Sequence, residues 1–242
     1  MKIGGIHSIE ELLKTGRPIR KAYVKTPFHS NSLHQIIKEL KSRNIPVKSV
    51  PKEKLNKLYK GNHQGIVVFT SPVHFKNLDE TIEKAFKEKP YPIFLLLDGI
   101  TDTRNFGAIL RSALAFEVSA VIISADGSAP INEDVVRMSS GAIFHLTITR
   151  VNHLMDAVYY LKEYGVKIIA AAGNAKATLE NYRFSYPVGL IMGNEQKGIR
   201  KQLLKKADAR LKINISPKME SLNVSVATAI FLYEIHKQLT QI

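Results

Sequence analysis

The 242-residue sequence has no cysteine and no tryptophan. Without thiols there can be no disulfide framework, no thiolate nucleophile and no zinc–thiolate site, and the expected setting is the cytoplasm. No apolar run approaches the roughly 20 residues of a membrane-spanning helix. The start, MKIGGIHSIEELLK, has no apolar core of the kind that marks a secretory signal, so export and membrane insertion are not expected. Acidic residues are scarce, with 21 Asp and Glu against 35 Lys and Arg and a net charge of +14. The deficit is concentrated at the front. Residues 1–75 hold 14 Lys or Arg, 4 Glu and no Asp, a balance of +10, whereas the other 167 residues hold 21 against 17. An evenly solubilising surface would not be so lopsided, and the front segment reads as a handle for a polyanion such as nucleic acid.

Familiar chemical fingerprints are also missing. No G-x-G-x-x-G follows an apolar strand pattern, and GNEQKGIR lacks the Lys-Ser/Thr ending of a phosphate-binding P-loop. There is no G-x-S-x-G, and the eight histidines show no H-E-x-x-H or other tight ligand spacing, so no metal is expected. Hydride transfer of the usual dinucleotide type, P-loop phosphoryl chemistry and zincin hydrolysis are thereby disfavoured.

What is present alternates in type. SIEELLKTG reads as a short helix, with Ser8 and Glu11 as a capping box and Gly16 as its stop. A strand at KAYVKT, a helix through NSLHQIIKELKSR, a strand at VKSV, a helix over residues 51–59 and a strand at GIVVFT follow, giving a small α/β domain over residues 1–72. Residues 73–90 are polar, charged and proline-bounded and read as a linker with room for a short helix. Residues 91–242 form a second domain in which near-continuous apolar strands (IFLLLD, AVIIS, HLTIT, KIIAAAG, VGLIMG, LKINI) are separated by helical patterns. Such strands predict a mainly parallel sheet covered on both faces, with ligands beyond the carboxyl ends of its strands. Asp98, Gly173 and Gly193 fall at such ends.

Three segments there mix glycine with polar side chains. In TDTRNFGAILRSALAF, residues Phe106, Ile109, Leu110, Ala113 and Leu114 form a helical apolar stripe, and Arg111 falls on the other face among Gly107, Ala108, Leu114 and Ala115. GLIMGNEQKGIRKQLLKKAD turns at Gly193–Glu195 and continues into a basic helix. LKINISPKMESLNVSVATAIFLYEI runs from a strand into a long helix with Ser221, Asn223 and Ser225 at its mouth. Taken singly, Asn105 and Ser221 could be helix caps and Glu195 a carboxylate beside a positive helix terminus. Three such segments in this order are harder to read as structural accidents.

In residue type, spacing and order, NFGAILRSA, MGNEQKGI and SLNVSVA resemble the three signature motifs of the SpoU/TrmH branch of the SPOUT RNA methyltransferases. GIHSIEELL and HQGIVV resemble the substrate-binding domain of bacterial 23S rRNA guanosine 2′-O-methyltransferases. The resemblance implies an α/β domain with a C-terminal trefoil knot, preceded by a small α/β RNA-binding domain, working as a homodimer. It implies S-adenosyl-L-methionine held in the knot by Ala171, Ala172, Gly173, Gly193, Ile213 and Leu222. It also implies a catalytic set of Asn105, Arg111, Glu195, Ser221 and Asn223, with Arg111 the candidate for relieving the hydroxyl of its proton. Because arginine stays protonated far above neutral pH, the expectation is instead that Arg111 grips the target phosphate and polarises the hydroxyl while Asn105 and Glu195 fix its fork. The expected substrate is 23S ribosomal RNA. Transfer RNA is the nearest alternative, and a non-catalytic ribosome-assembly factor on the same fold is a more distant one. For the front domain, the basic cluster Lys14, Arg17, Arg20, Lys21 and Lys25 and the polar turn His63–Gln64 are the expected RNA contacts. The final helix, apolar on nearly all sides from Val224 to Ile235, is expected to pack into both the core and a dimer interface.

Overall fold

The computed structural model describes residues 1–27, 30–70 and 74–241. In chain order the elements are β1 (Lys2–Gly4), α1 (Ile6–Lys14), β2 (Ile19–Lys25), α2 (Asn31–Ser42), β3 (Val47–Val50), α3 (Lys52–Leu58), β4 (Ile66–Thr70), α4 (Leu78–Glu88), β5 (Ile93–Asp98), α5 (Thr103–Ala115), β6 (Ala120–Ser124), α6 (Glu133–Met138), β7 (Ile148–Val151), α7 (Leu154–Glu163), β8 (Lys167–Ala171), β9 (Ala177–Thr178), β10 (Val188–Gly193), α8 (Lys201–Lys206), β11 (Ala209–Lys212) and α9 (Val224–Leu239). They divide into two compact units, Met1–Val73 with Ile131–His145, and His74–Pro130 with Leu146–Ile242.

The first unit is built on a four-stranded sheet of order β1-β4-β2-β3, antiparallel except for the β2–β3 pair. Ile3, Ala22, Val24 and Val68 are buried and alternate with Lys2, Lys21, Tyr23 and Phe69, the period of two that separates the faces of a strand. On the second face α3 lays Leu55 and the following Tyr59 over Val50 and Val67.

Helix α1 starts earlier than its sequence suggests. Gly5 at φ 101 turns the chain into the helix, the Gln64 Oε1 accepts the Ile6 N–H at 2.7 Å, and Ser8 is buried inside the first turn rather than capping it. Glu11 is likewise not half of a capping box: its carboxylate pairs with Lys14 at 2.6 Å and with the His145 ring at 2.7 Å. Gly16 does end the helix, with φ 66.

His145 belongs to the segment of residues 131–145, which in sequence reads as an ordinary crossover of the second domain. It joins the first unit instead. Glu133 accepts the Lys2 N–H at 3.1 Å, and Gly141 lies so close to Glu11 that an added Cβ would sit 2.6 Å from the Glu11 Cβ.

The second unit holds a seven-stranded sheet of order β7-β6-β5-β10-β8-β11-β9, with every strand pair parallel. β5 is buried at all six positions, as its unbroken apolar run requires. One core cluster joins Phe94, Leu96, Ile122, Ile168 and Ile191 of the sheet to Leu154 and Leu161 of α7 and Leu203 of α8. Ile82 and Ala85 of α4 belong to the same cluster. The stretch that reads as a linker therefore contributes a helix to this core, while its first residue, Val73, lies outside the described residues. Elsewhere α5 packs along α9, and Phe116 meets the Tyr233 ring edge-on at 6.0 Å. Two short strands, β1 and β9, carry too few residues to show a pattern in the sequence.

Candidate active site

In a parallel sheet all strands deliver their following loops to one edge. Gly193 pairs in register with Asp98, so the ends of β10 and β5 are side by side, and β8 and β11 flank them. The loop after β10 is tightly strapped. The Asn194 side chain accepts the N–H groups of Gln196 and Lys197 at 2.9 and 3.2 Å through Oδ1, and donates through Nδ2 to the Gly99 carbonyl at 2.9 Å. Buried Asp98 accepts both the Arg200 N–H at 2.8 Å and its Nε–H at 2.7 Å. The loop folds back onto Gly193 so closely that a Cβ there would lie 2.4 Å from the Gly198 carbonyl carbon and the Ile199 nitrogen. Asn194 and Arg200 are the residues that sequence reasoning passed over. The only signal for Asn194 was its place in a Gly-Asn turn, where an Asx side chain mimics the backbone.

Beside this loop the site's polar side chains converge. Glu195 Oε1 accepts three N–H groups: Asn223 Nδ2 at 2.7 Å, Asn105 Nδ2 at 3.1 Å and the Val224 backbone at 3.2 Å. Asn223 Nδ2 also donates to Asn105 Oδ1 at 3.0 Å, closing a triangle of side chains from three loops. Asn223 is the N-cap of α9, its Oδ1 accepting the Ser225 N–H at 3.0 Å, so Glu195 sits at a helix terminus whose positive end favours a carboxylate. The capping and site readings of these residues thus describe one arrangement. Asp102, and not Asn105, caps α5, which leaves the Asn105 amide free for the triangle.

Arg111 is exposed on α5, six residues or about 9 Å along the helix axis from Asn105. The expectation that Asn105 and Glu195 hold its fork is not met. Glu195 Oε1 and the Asn105 amide are engaged with each other and with Asn223, and the Arg111 guanidinium has no hydrogen bond or ion pair among the described residues. The physical reason is that an amide and a carboxylate at adjacent loop mouths satisfy each other locally, whereas Arg111 emerges nearly two turns further along.

A pocket of about 360 Å³ opens among these loops, within the range of small-ligand sites. Ala171, Ala172, Gly173, Gly193, Ile213 and Leu222 all line it, as do Glu195 and Ser221. Asn105, Asn223 and Arg111 stand outside its lining, the first two joined to it through Glu195. The backbone N–H groups of Ile213, Ile215 and Leu222 find no hydrogen-bond partner among the described residues, so the pocket wall offers main-chain donors to a ligand. Residues 213–215, which read in sequence as the end of a strand, are loop. No cluster of His, Cys, Asp and Glu able to hold a metal, and no helix long and apolar enough to cross a membrane, occurs among the described residues.

The expected RNA contacts of the first unit divide. Arg20 is exposed and Lys25 half-exposed. Lys14 is paired with Glu11, and Arg17 lies half-buried over the Phe144 ring at 5.6 Å, its pKa lowered by that burial. Lys21 sits over the Tyr23 and Phe69 rings. His63 is corrected: it is 7% exposed, its Nδ1 accepts the Gly65 N–H at 3.0 Å and its Nε2 is 2.9 Å from Asn56 Oδ1. An acceptor at Nδ1 and a donor at Nε2 define the neutral ring, and burial lowers its pKa further, so His63 is a structural residue without a charge for phosphate. Gln64 is exposed, but its Oε1 is committed to capping α1.

Comparison with known proteins agrees with this geometry. Residues 92–233 match the model of the SpoU rRNA methylase family, and residues 2–76 match that of RNA 2′-O ribose methyltransferase substrate binding. A TrmH family tRNA/rRNA methyltransferase of Staphylococcus epidermidis is 32% identical over 99% of this chain and 96% of its own. The structure of an AdoMet-bound rRNA methyltransferase from Sinorhizobium meliloti superposes with a TM-score of 0.81 at 25% identity, covering 98% of this chain and 87% of that one. The TrmH/SpoU tRNA-modifying enzyme of A. aeolicus, at 26% identity and a TM-score of 0.56, covers 68% of this chain and 85% of its own. The parallel sheet, the strand-end pocket and the two family matches lead to one assignment: the chain belongs to the SpoU family of RNA 2′-O-ribose methyltransferases.

Proposed function

We propose that the chain transfers a methyl group from S-adenosylmethionine to a ribose 2′-hydroxyl of ribosomal RNA, and specifically of a guanosine in 23S rRNA. The observation that carries this reading is the double role of Glu195, which lines the pocket and at the same time anchors Asn105 and Asn223 at its mouth. A ligand in the pocket is thereby placed next to a polar cluster that can meet a second substrate.

The pocket suits the cofactor. Main-chain donors at Ile213, Ile215 and Leu222 that have no partner among the described residues match the acceptors of an adenosine, and Glu195 and Glu220 supply negative charge for a cation. Gly193 keeps the strand end bare, and the same lack of a side chain lets the loop fold over it. When bound, S-adenosylmethionine supplies an electrophilic methyl group on a sulfonium. The residues of the chain do the rest. Arg111, which no carboxylate neutralises among the described residues, is available to the phosphate beside the target ribose, and through that grip orients the 2′-hydroxyl. Glu195 has its Oε1 saturated by three donors, which fixes the carboxylate and leaves Oε2 to accept a hydrogen bond from the entering hydroxyl. Arginine stays protonated far above neutral pH, so its part is to bind and polarise.

Two observations favour ribosomal over transfer RNA. The rRNA enzyme from S. meliloti matches the chain almost end to end, whereas the A. aeolicus tRNA enzyme matches only about two thirds of it. The excess positive charge also lies in residues 1–75. A homodimer belongs to the same reading. Leu114, Val226 and Tyr233 are 38%, 48% and 54% exposed on α5 and α9, an apolar surface suited to a second copy; a monomeric mass at micromolar concentration would contradict it.

The substrate class is tested by incubating the protein with labelled S-adenosylmethionine and either unmodified 23S rRNA or unmodified tRNA. Label is expected in 23S rRNA alone. Label in tRNA alone would keep the chemistry and overturn the substrate.

A further inference from the structure

The four strands of the first unit carry five basic residues, Lys2, Arg20, Lys21, Lys25 and Lys48, and no acidic one. Four of the five, Lys2, Lys21, Lys25 and Lys48, share one face, with Lys25 opposite Val50. Lys21 and Lys2 both lie opposite Phe69, and Lys48 lies opposite Tyr23. On that face α3 covers Val50 and Val67, and Tyr23 and Phe69 pack against the same cluster while staying only partly buried. The two rings meet edge-on at 5.7 Å, and the Lys21 ammonium stands 5.5 Å from the Tyr23 centroid and 4.7 Å from that of Phe69. The two rings form a partly accessible apolar surface bordered by Lys2, Lys21 and Lys48.

We propose that Tyr23 and Phe69 form a stacking platform for an unpaired base of the RNA substrate, with Lys2, Lys21 and Lys48 receiving the flanking phosphates. The inference rests on the RNA-binding reading of the first unit and gives it a place. Folded RNA is recognised through splayed-out bases far more than through paired ones, because paired edges are hidden and every base has a face that can stack. Lys21 over the rings does not block this. An exposed cation–π contact is weaker than a stacked base, so the ammonium exchanges the rings for a phosphate when the base arrives. The charge selects a polyanion, and the rings select one with accessible bases, which a duplex or a membrane surface does not present.

The test uses the full chain, a fluorescein-labelled RNA hairpin with an unpaired loop, and a fully paired duplex of equal length. Phe69→Leu keeps the apolar packing against α3 and removes the ring. It is expected to weaken hairpin binding about tenfold, equivalent to about 1.4 kcal/mol, and duplex binding less than about twofold. Tyr23→Leu is expected to act in the same direction and carries the test if Phe69→Leu does not melt like the wild type. Lys21→Met is expected to lower the slope of log affinity against log salt by about one. If the wild type binds the hairpin and both folded leucine variants bind it equally well, the platform is refuted while the RNA reading stands. If the wild type binds neither RNA, the reading of the first unit fails and the platform with it.

Discussion

Replacing Arg111 by alanine is expected to reduce methyl transfer at saturating substrates by at least about 100-fold, the scale on which loss of a single charge-stabilising donor acts in an active site. S-adenosylmethionine affinity and melting temperature should stay near the wild-type values. Arg111 does not line the pocket, it is exposed, and it holds no partner among the described residues whose loss would be felt in the fold. That separation is what makes the variant informative. A residue that merely supported α5 would move the melting curve, and one that bound cofactor would move the binding isotherm. Arg111→Lys keeps the charge but not the planar fork and should fall between the two. Near-normal turnover by Arg111→Ala, with folding intact, would remove the arginine from the mechanism.

Gly193→Ala is the second large effect, and it acts by the opposite route. The added methyl would lie 2.4 Å from backbone atoms of Gly198 and Ile199, and a backbone cannot swing aside as a flexible side chain can. The loop must lift, pulling against the Asp98–Arg200 and Asn194–Gly99 hydrogen bonds that strap it down. Overpacking of this kind costs about 1–3 kcal/mol, which in a chain of this size lowers the melting temperature by roughly 5 °C. Because Glu195 rides on the same loop, S-adenosylmethionine affinity should fall at least about tenfold. Gly173 is the comparison: a Cβ there would meet nothing within 4 Å, so Gly173→Ala should leave the melting temperature unchanged. Differential scanning calorimetry and titration calorimetry on both variants separate crowding at Gly193 from a general loss of glycine flexibility.

The contrast between these two residues parallels what could and could not be read in the sequence. The sheet is legible because strands buried on both faces must be apolar throughout, and four of the seven strands of the second unit fall on the runs IFLLLD, AVIIS, KIIAAAG and VGLIMG, whereas β11 shares only Leu211 and Lys212 with the run LKINI. The run HLTIT begins before the strand it suggests. His145 belongs to the first unit, and β7 begins only at Ile148. The motif residues were legible as a set because their spacing within each segment is short. What those residues do to one another was not. Asn105, Glu195 and Asn223 are 28 to 118 positions apart, and nothing local says that the three will saturate one another and leave Arg111 alone. The same limit explains the front unit. His63 looks like an exposed residue in a polar turn until Asn56 and the Gly65 N–H close over both ring nitrogens. Ser8 and Glu11 have the spacing of a capping box, but a distant Gln64 supplies the cap and a distant His145 takes the carboxylate. In each case a tertiary partner displaced the local one.

The central claim is that the reacting atom is a ribose 2′-oxygen, and the most direct measurement is the chemistry of the methylated linkage. Target RNA methylated by the protein is hydrolysed in alkali, where cleavage requires a free 2′-hydroxyl, and the products are mapped. The account predicts one alkali-resistant dinucleotide carrying the label, at a single position. Label recovered wholly in alkali-released mononucleotides would place the methyl on a base and contradict it.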